Sequence, residues 1–259
     1  SKQGKKSAKP LLSSSSIHDR GIFALDLCGS SVLTGSKDKS VCVSILADDH
    51  ASLTPTSRYE LHSGVVKSVQ WRPLGGGGTH TFASGAQDKC VCVKATRAEI
   101  EIVRAHSGGV HTVCWAPPTG AGAGVGAGAR VGAAGDSHLL ATAGLDPVVK
   151  VWDLRYLKTA SSGSEGESEA TPLYAFHGHA RSNIRHKSIL PCKWLSSTAL
   201  VTPGEGSDRL SIYCAATGKT LSRGALEDEP IGTCPGGPGG VVAVASRRGG
   251  IFFLKPTFS

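Results

Sequence analysis

His18, His62 and His106 recur at intervals of 44 residues, and this period constrains the fold more than any other feature of the chain. A fixed period between about 20 and 50 residues marks supersecondary units that bury their apolar faces on one another. After each His comes a Gly or Ser-Gly and then an alternating apolar run: Gly21 to Leu27, Val65 to Trp71, and Val110 to Trp115. The second and third runs close alike, with Trp71-Arg72-Pro73 and Trp115-Ala116-Pro117. A second run of small residues then leads to an Asp: Val32 to Asp38, Phe82 to Asp88, Leu140 to Asp146. A third follows at once: Val41 to Ile45, Val91 to Lys94, Val148 to Trp152. Short β-branched runs of period two, divided by Gly, Asp and Lys, predict strands joined in hairpins.

Two further units are weaker. One holds Gly178-His179, Lys187 to Leu190, Ala199 to Thr202, Asp208 and Leu210 to Tyr213. The other holds Pro230-Ile231, Val241 to Ala245 and Ile251 to Leu254. The links read as one more strand each, at Lys9 to Leu12, Arg58 to Leu61, Ile100 to Val103, Leu173 to Phe176 and Gly218 to Leu221. No segment sustains a 3.6-residue period, so helices are expected to be few. The 34 Gly in 259 residues agree, because each Gly in a helix interior costs about 1 kcal/mol. Four strands per unit, five units and a period near 44 predict an all-β chain of propeller blades.

These residues resemble the WD-repeat β-propeller family. The third unit matches best, with Ala105-His106, Leu139 to Asp146, and a closing Val151-Trp152-Asp153. Units one, two and four carry Ser44, Lys94 and Cys214 where the closing Trp would stand. The resemblance covers residues 9–256, with 1–8 as a basic disordered tail and flexible inserts at 117–135 and 159–171. The first insert alternates Gly and Ala, and the second is rich in Ser and Glu. Five blades are countable. Six or seven in an intact protein are compatible with the sequence, whose first residue is Ser and which holds no Met. The resemblance implies a clasp in which Lys9 to Ser16 completes the last sheet.

The resemblance also implies a structural network: His18 with Asp38, His62 with Asp88, and His106 with Thr142, Asp146 and Trp152. A His/Ser/Asp trio looks like a hydrolase triad. Here it repeats once per unit, so it reads as structure, and no enzyme activity is expected. His177 and His179 form no ligand set with a carboxylate, and the eight Cys include no Cys-x-x-Cys pair, so neither metal nor cofactor is expected. The Cys sit inside apolar runs and read as buried, reduced side chains, which suits a cytoplasmic or nuclear protein. No apolar run reaches the roughly 18 residues of a membrane span, so no membrane partner is expected.

The net charge is +8, of which +4 lies in residues 1–20. The remainder gives the body an ordinary balance and a weak argument for nucleic acid. By resemblance, partners would bind the face built from the loops before the first strands and between the second and third. Arg20, Lys37, Lys39, Lys89, Arg181, Arg209, Arg247 and Arg248 fall there. All are basic, which favours an acidic or phosphorylated peptide, or RNA. Trp152-Asp153-Leu154-Arg155 is similar to the box by which WD-repeat substrate receptors of cullin-4 ubiquitin ligases engage their adaptor, and Arg155 would make that contact. The expected function is a non-enzymatic protein-interaction scaffold, with such a receptor as one form and an RNA-associated scaffold in a ribonucleoprotein as the alternative.

Overall fold

The computed structural model describes residues 17–48, 52–73, 81–95, 99–102, 104–118, 137–157, 170–178, 191–203, 209–228, 230–237, 241–246 and 248–255. Within them the period becomes a series of antiparallel sheets. The first sheet runs in sequence order through β1 (Ile22–Cys28), β2 (Ser31–Ser36), β3 (Val41–Leu46) and β4 (Leu53–Tyr59). The second runs through β5 (Val66–Trp71), β6 (Phe82–Ala86), β7 (Val91–Lys94) and β8 (Glu99–Ile102). The third comprises β9 (Val110–Trp115), β10 (Leu139–Gly144), β11 (Val148–Asp153) and β12 (Tyr174–His177). The fourth comprises β13 (Lys193–Trp194), β14 (Ala199–Pro203), β15 (Arg209–Cys214) and β16 (Thr220–Ala225). The fifth has three described strands, β17 (Pro230–Gly237), β18 (Val241–Ser246) and β19 (Ile251–Leu254). The one described helix is a 3-10 turn at Leu154–Tyr156. No helix among the described residues is long and apolar enough to cross a membrane.

The cores lie between consecutive sheets. Leu33 and Val41 of the first sheet pack on Val66, Val69, Trp71 and Phe82 of the second. Ala83, Val91 and Val93 pack on Val110, Val113, Trp115 and Trp152 of the third. Phe176 of the third stacks on Tyr213 of the fourth, with ring centroids 4.5 Å apart. Val201 and Ile212 meet Val242 and Val244 of the fifth. Each buried Val or Leu contributes about 1.5–3 kcal/mol relative to exposure. The three middle sheets bury both faces on their neighbours, and stacked sheets of this kind, joined along their inner strands, make the blade arrangement of a β-propeller.

The close approach of the sheets depends on two glycines. A Cβ on Gly35 would lie 2.5 Å from Val66 Cγ1, and one on Gly85 would lie 2.6 Å from Val110 Cγ1. The inner strands are also stitched across the gap by hydrogen bonds of a fixed offset. Asp26 Oδ2 accepts from the Trp71 backbone N–H (2.7 Å), Ser68 Oγ from Val113 N–H (3.0 Å), and Gln70 Oε1 from Trp115 N–H (2.8 Å). Each pair is 45 residues apart. Asp26 and Gln70 do the same job, but burial raises the Asp26 carboxyl pKa against the backbone donors and Lys193 that lower it.

A carboxyl whose folded pKa is raised favours folding below its unfolded value and loses that contribution as pH rises through the folded value. Asp26→Asn keeps the acceptor and removes the buried charge, as Gln70 already does. It is therefore expected to raise Tm by about 1–3 °C at pH 7, with the gain vanishing below about pH 4. Thermal unfolding followed at both pH values checks this, and an unchanged or lower Tm at pH 7 refutes it.

Three strand expectations shift, one being the outer strand of the fourth sheet, which is Thr220–Ala225 and not Gly218 to Leu221. The outer strand of the first sheet is Leu53–Tyr59 and not Arg58 to Leu61. It lies on a solvated edge, where Pro55 is tolerated and apolar alternation is not required. The innermost described strand of the fourth sheet is Lys193–Trp194, while Lys187 to Leu190 lies outside the described residues. The expected clasp at Lys9 to Ser16, the tail and nearly all of both inserts also lie outside them. Ile22, Leu25 and Leu27 are 48, 66 and 54 % exposed, whereas their counterparts 44 residues later, Val66, Val69 and Trp71, are 0, 7 and 6 %. Those counterparts rest on the preceding sheet.

Candidate functional site

In the first three sheets the turn between second and third strands carries Asp38, Asp88 or Asp146, and in the first two the carboxylate organises its own turn. Asp38 Oδ1 accepts from the Ser40 N–H and Asp88 Oδ1 from the Cys90 N–H, both at 3.0 Å. The other oxygen reaches the loop before the first strand. Asp38, Asp88 and Asp146 accept from the N–H of Asp19, Ser63 and Ser107 at 3.1, 2.8 and 2.9 Å. The imidazoles complete the contact. His18 Nδ1 lies 3.0 Å from Asp38, His62 Nδ1 3.0 Å from Asp88, and His106 Nδ1 2.8 Å from Asp146. With a carboxylate as acceptor, Nδ1 carries the proton.

The opposite imidazole nitrogen faces a strand hydroxyl. His18 Nε2 is 2.8 Å from Thr34 Oγ1, His62 Nε2 2.8 Å from Ser84 Oγ, and His106 Nε2 2.8 Å from Thr142 Oγ1. In the third sheet Trp152 Nε1–H donates to the same Thr142 oxygen at 2.9 Å. The first two sheets end differently. Ser44 is buried with its hydroxyl unpartnered, and Lys94 turns out to pair with Glu99 at 2.7 Å. Burial alone would raise these carboxyl pKa values. The converging donors outweigh it, led by Ser40 on Asp38, His62 on Asp88 and His106 on Asp146, and all three lie below the ordinary carboxylate range. The hydroxyls of Thr34, Ser84 and Thr142 are buried inside the sheets. The trio thus ties loop to turn in the first three sheets and presents no nucleophile to solvent there.

The basic residues gather at that same end. Lys37 and Lys39 lie in the turn of the first sheet and Lys89 in that of the second. Arg209 opens the third strand of the fourth sheet, and Arg248 lies in the turn of the fifth. Arg20 sits in the first loop, next to Gly21, whose carbonyl accepts from the Lys37 N–H. Lys39 and Lys89 hold φ of +75° and +72°, a conformation uncommon outside Gly, Asn and Asp. All six side chains are exposed. Arg248 is engaged, its backbone N–H donating to Asp228 and its Nε 3.8 Å from that carboxylate. Arg181 and Arg247 lie outside the described residues. The sequence reading missed Arg58, which bridges Asp19 and Asp38 at 3.2 and 3.3 Å.

Trp152, Asp153 and Arg155 stand at the opposite end of the third sheet, because β11 begins at the turn and ends at Asp153. Trp152 is buried and committed to Thr142. Arg155 clamps Asp153 through Nε (3.0 Å) and Nη2 (2.6 Å), and this pair holds the Asp153 carboxyl pKa down. The guanidinium remains half exposed beside Tyr156.

Among the described residues no three His, Cys, Asp or Glu are grouped to hold a metal ion. The eight Cys form no disulfide, and burial pushes the Cys92 and Cys192 thiols far up.

No protein-family model matches the chain. Over 195 residues it is 23 % identical to the ribosome biogenesis protein WDR12 homolog of Drosophila virilis, a match that covers 72 % of this chain. The chain spans 39 % of that relative's length. The likeness to a protein named for WD repeats agrees with an all-β fold of four-stranded antiparallel blades.

Proposed function

We propose that this chain is a non-enzymatic WD-repeat scaffold that recruits other proteins on the two ends of its blades. One observation carries the reading. The His–Asp–hydroxyl sets are consumed inside the blades, while Lys37, Lys39, Lys89 and Arg209 stand free of carboxylates among the described residues at one common end. Exposed cations fixed on rigid turns suit an acidic or phosphorylated protein segment. A second reading, an RNA-associated scaffold in a ribonucleoprotein, is favoured by the words "ribosome biogenesis" in the relative's name. Either role suits the nucleus or cytoplasm.

The opposite end supports a finer version. The exposed Arg155, oriented by Asp153, would contact the adaptor of a cullin-4 ubiquitin ligase. Affinity purification with mass spectrometry of the full chain, run beside Arg155→Ala, tests these readings together. A stable set of protein partners is expected. Recovery of the adaptor with wild type and its loss with Arg155→Ala would establish the receptor version, and equal recovery or none would end it. RNA crosslinked at low salt and released steeply as salt rises would select the ribonucleoprotein reading. Absence of any specific partner would overturn the scaffold.

A further inference from the structure

The inner strands share a defect at the same place. In β1, Ile22 pairs with Ser36 and Ala24 with Gly35, leaving Phe23 over. In β5, Val66 pairs with Ala86 and Ser68 with Gly85, leaving Lys67. In β9, Val110 pairs with Gly144 and Thr112 with Ala143, leaving His111. The backbone of β17 skips Ile231 in the same way. The three described side chains are 44 residues apart. A β-bulge takes one residue out of the alternation and re-aims its side chain, and bulges gather beside functional sites. Here they take Phe23, Lys67 and His111 out of the strand alternation, so that Lys67 of the second sheet reaches the Phe23 ring of the first and its charge acts on His111 of the third.

In the resulting cluster Phe23 is half exposed, while Lys67 and His111 are partly buried. Lys67 Nζ sits 3.7 Å from the centroid of the Phe23 ring. Both ring nitrogens of His111 are shielded from solvent and have no hydrogen-bond partner. Burial first, then the charge of Lys37, lowers the Lys67 pKa; burial first, then Lys67, lowers that of His111. No carboxylate of the described residues pairs with Lys67. An ammonium held against an aromatic face, an imidazole with an unused N–H and a second Lys nearby share one missing element, an acceptor with negative charge.

We propose that Phe23, Lys67 and His111, with Lys37 at their side, form a pocket that takes a single carboxylate or phosphate carried on a peptide. This rests on the scaffold reading above and names the anchor point for its partner. Lys67 would supply the charge, an N–H of His111 a directed hydrogen bond, and the Phe23 ring an apolar wall for the side-chain stem. A site with one partly buried cation at the inner strands, Lys67, fits one anionic side chain. A phosphodiester backbone needs cations in a track, as counterion release along it supplies most of its affinity.

The test is fluorescence anisotropy of the full chain with short labelled peptides carrying a central phosphoserine, Glu or Ala, and with a short oligouridylate. Either anionic peptide is expected to bind more tightly than the Ala peptide, and the comparison tells phosphate from carboxylate. Lys67→Ala is expected to weaken that peptide about tenfold, while Lys67→Arg keeps most of the affinity. His111→Ala should weaken it several-fold, with Lys67→Met as a replacement of similar length should the Ala variant unfold. In the wild type, the His111 imidazole nitrogen signals should shift on saturation. Anionic peptides that bind the Lys67 and His111 variants as tightly as wild type would overturn the pocket, and loss of affinity with Lys39→Ala and Lys89→Ala would leave the scaffold standing. Binding of oligouridylate alone, or equal binding of all peptides, would also overturn it.

Discussion

Replacing His106 with Ala is expected to lower Tm by roughly 6–20 °C. His106 is 1 % exposed and joins a turn carboxylate, a strand hydroxyl and, through it, the Trp152 indole. Deletion leaves Asp146 without its strongest side-chain donor and Thr142 without its imidazole. Breaking a buried pair of this kind typically costs about 3–5 kcal/mol, because the remaining charge stays desolvated. At about 2–4 °C per kcal/mol for a chain of this size, the shift follows. Asp146→Asn should cost less, since the amide oxygen still accepts from His106 and Ser107. His18→Ala and His62→Ala should cost less than His106→Ala, because Ser44 and Lys94 stand where Trp152 closes the third network. Hydrogen exchange should show the largest loss of protection in β10 and β11. A His106→Ala protein that melts within 2 °C of wild type would mean the network contributes nothing to stability, and the repeated histidines would need another explanation.

That network was legible because it is periodic. His, hydroxyl and Asp recur at constant positions relative to alternating apolar runs, so three units could be read by eye. The pocket residues were not legible, for a specific physical reason. A bulge displaces one residue without changing the composition of its strand. Lys67 and His111 therefore read as ordinary outward residues of an alternating run, and Phe23 as part of an apolar one. The acceptors Asp26 and Gln70 were missed because their partners lie 45 residues away on another sheet, and nothing local marks them. A signal does exist in the sequence: a polar residue one or two places before the end of an inner strand, as with Asp26 in β1 and Gln70 in β5. Trp194 lacks even that, since a two-residue strand offers no alternation to detect. Its indole nevertheless reaches the Cys114 carbonyl at 2.8 Å and ties the fourth sheet to the third.

The spacing between sheets yields the other large effect. Gly85→Val is expected to destabilise the protein by more than the usual 1–3 kcal/mol of a single overpacked core position. The first atom added would lie 2.6 Å from Val110 Cγ1 and 3.0 Å from Val113 Cγ1. Neither can withdraw, since Val110 is 0 % and Val113 4 % exposed. The backbone cannot slide freely either, because Ser68 and Gln70 pin the inner strands of the two sheets together. Sheet separation must therefore grow, and the Trp115 packing and both cross-sheet hydrogen bonds weaken with it. Gly85→Ala should show a smaller loss of the same sign, even though Ala is ordinarily no worse than Gly in a strand. The decisive measurement is a double-mutant cycle. Val110→Ala alone should destabilise by leaving a cavity, whereas Gly85→Val with Val110→Ala should be more stable than Gly85→Val by itself. Independent, additive losses in that cycle would show that the two side chains do not compete for one space, and that contact between these blades is not what fixes a glycine at this position.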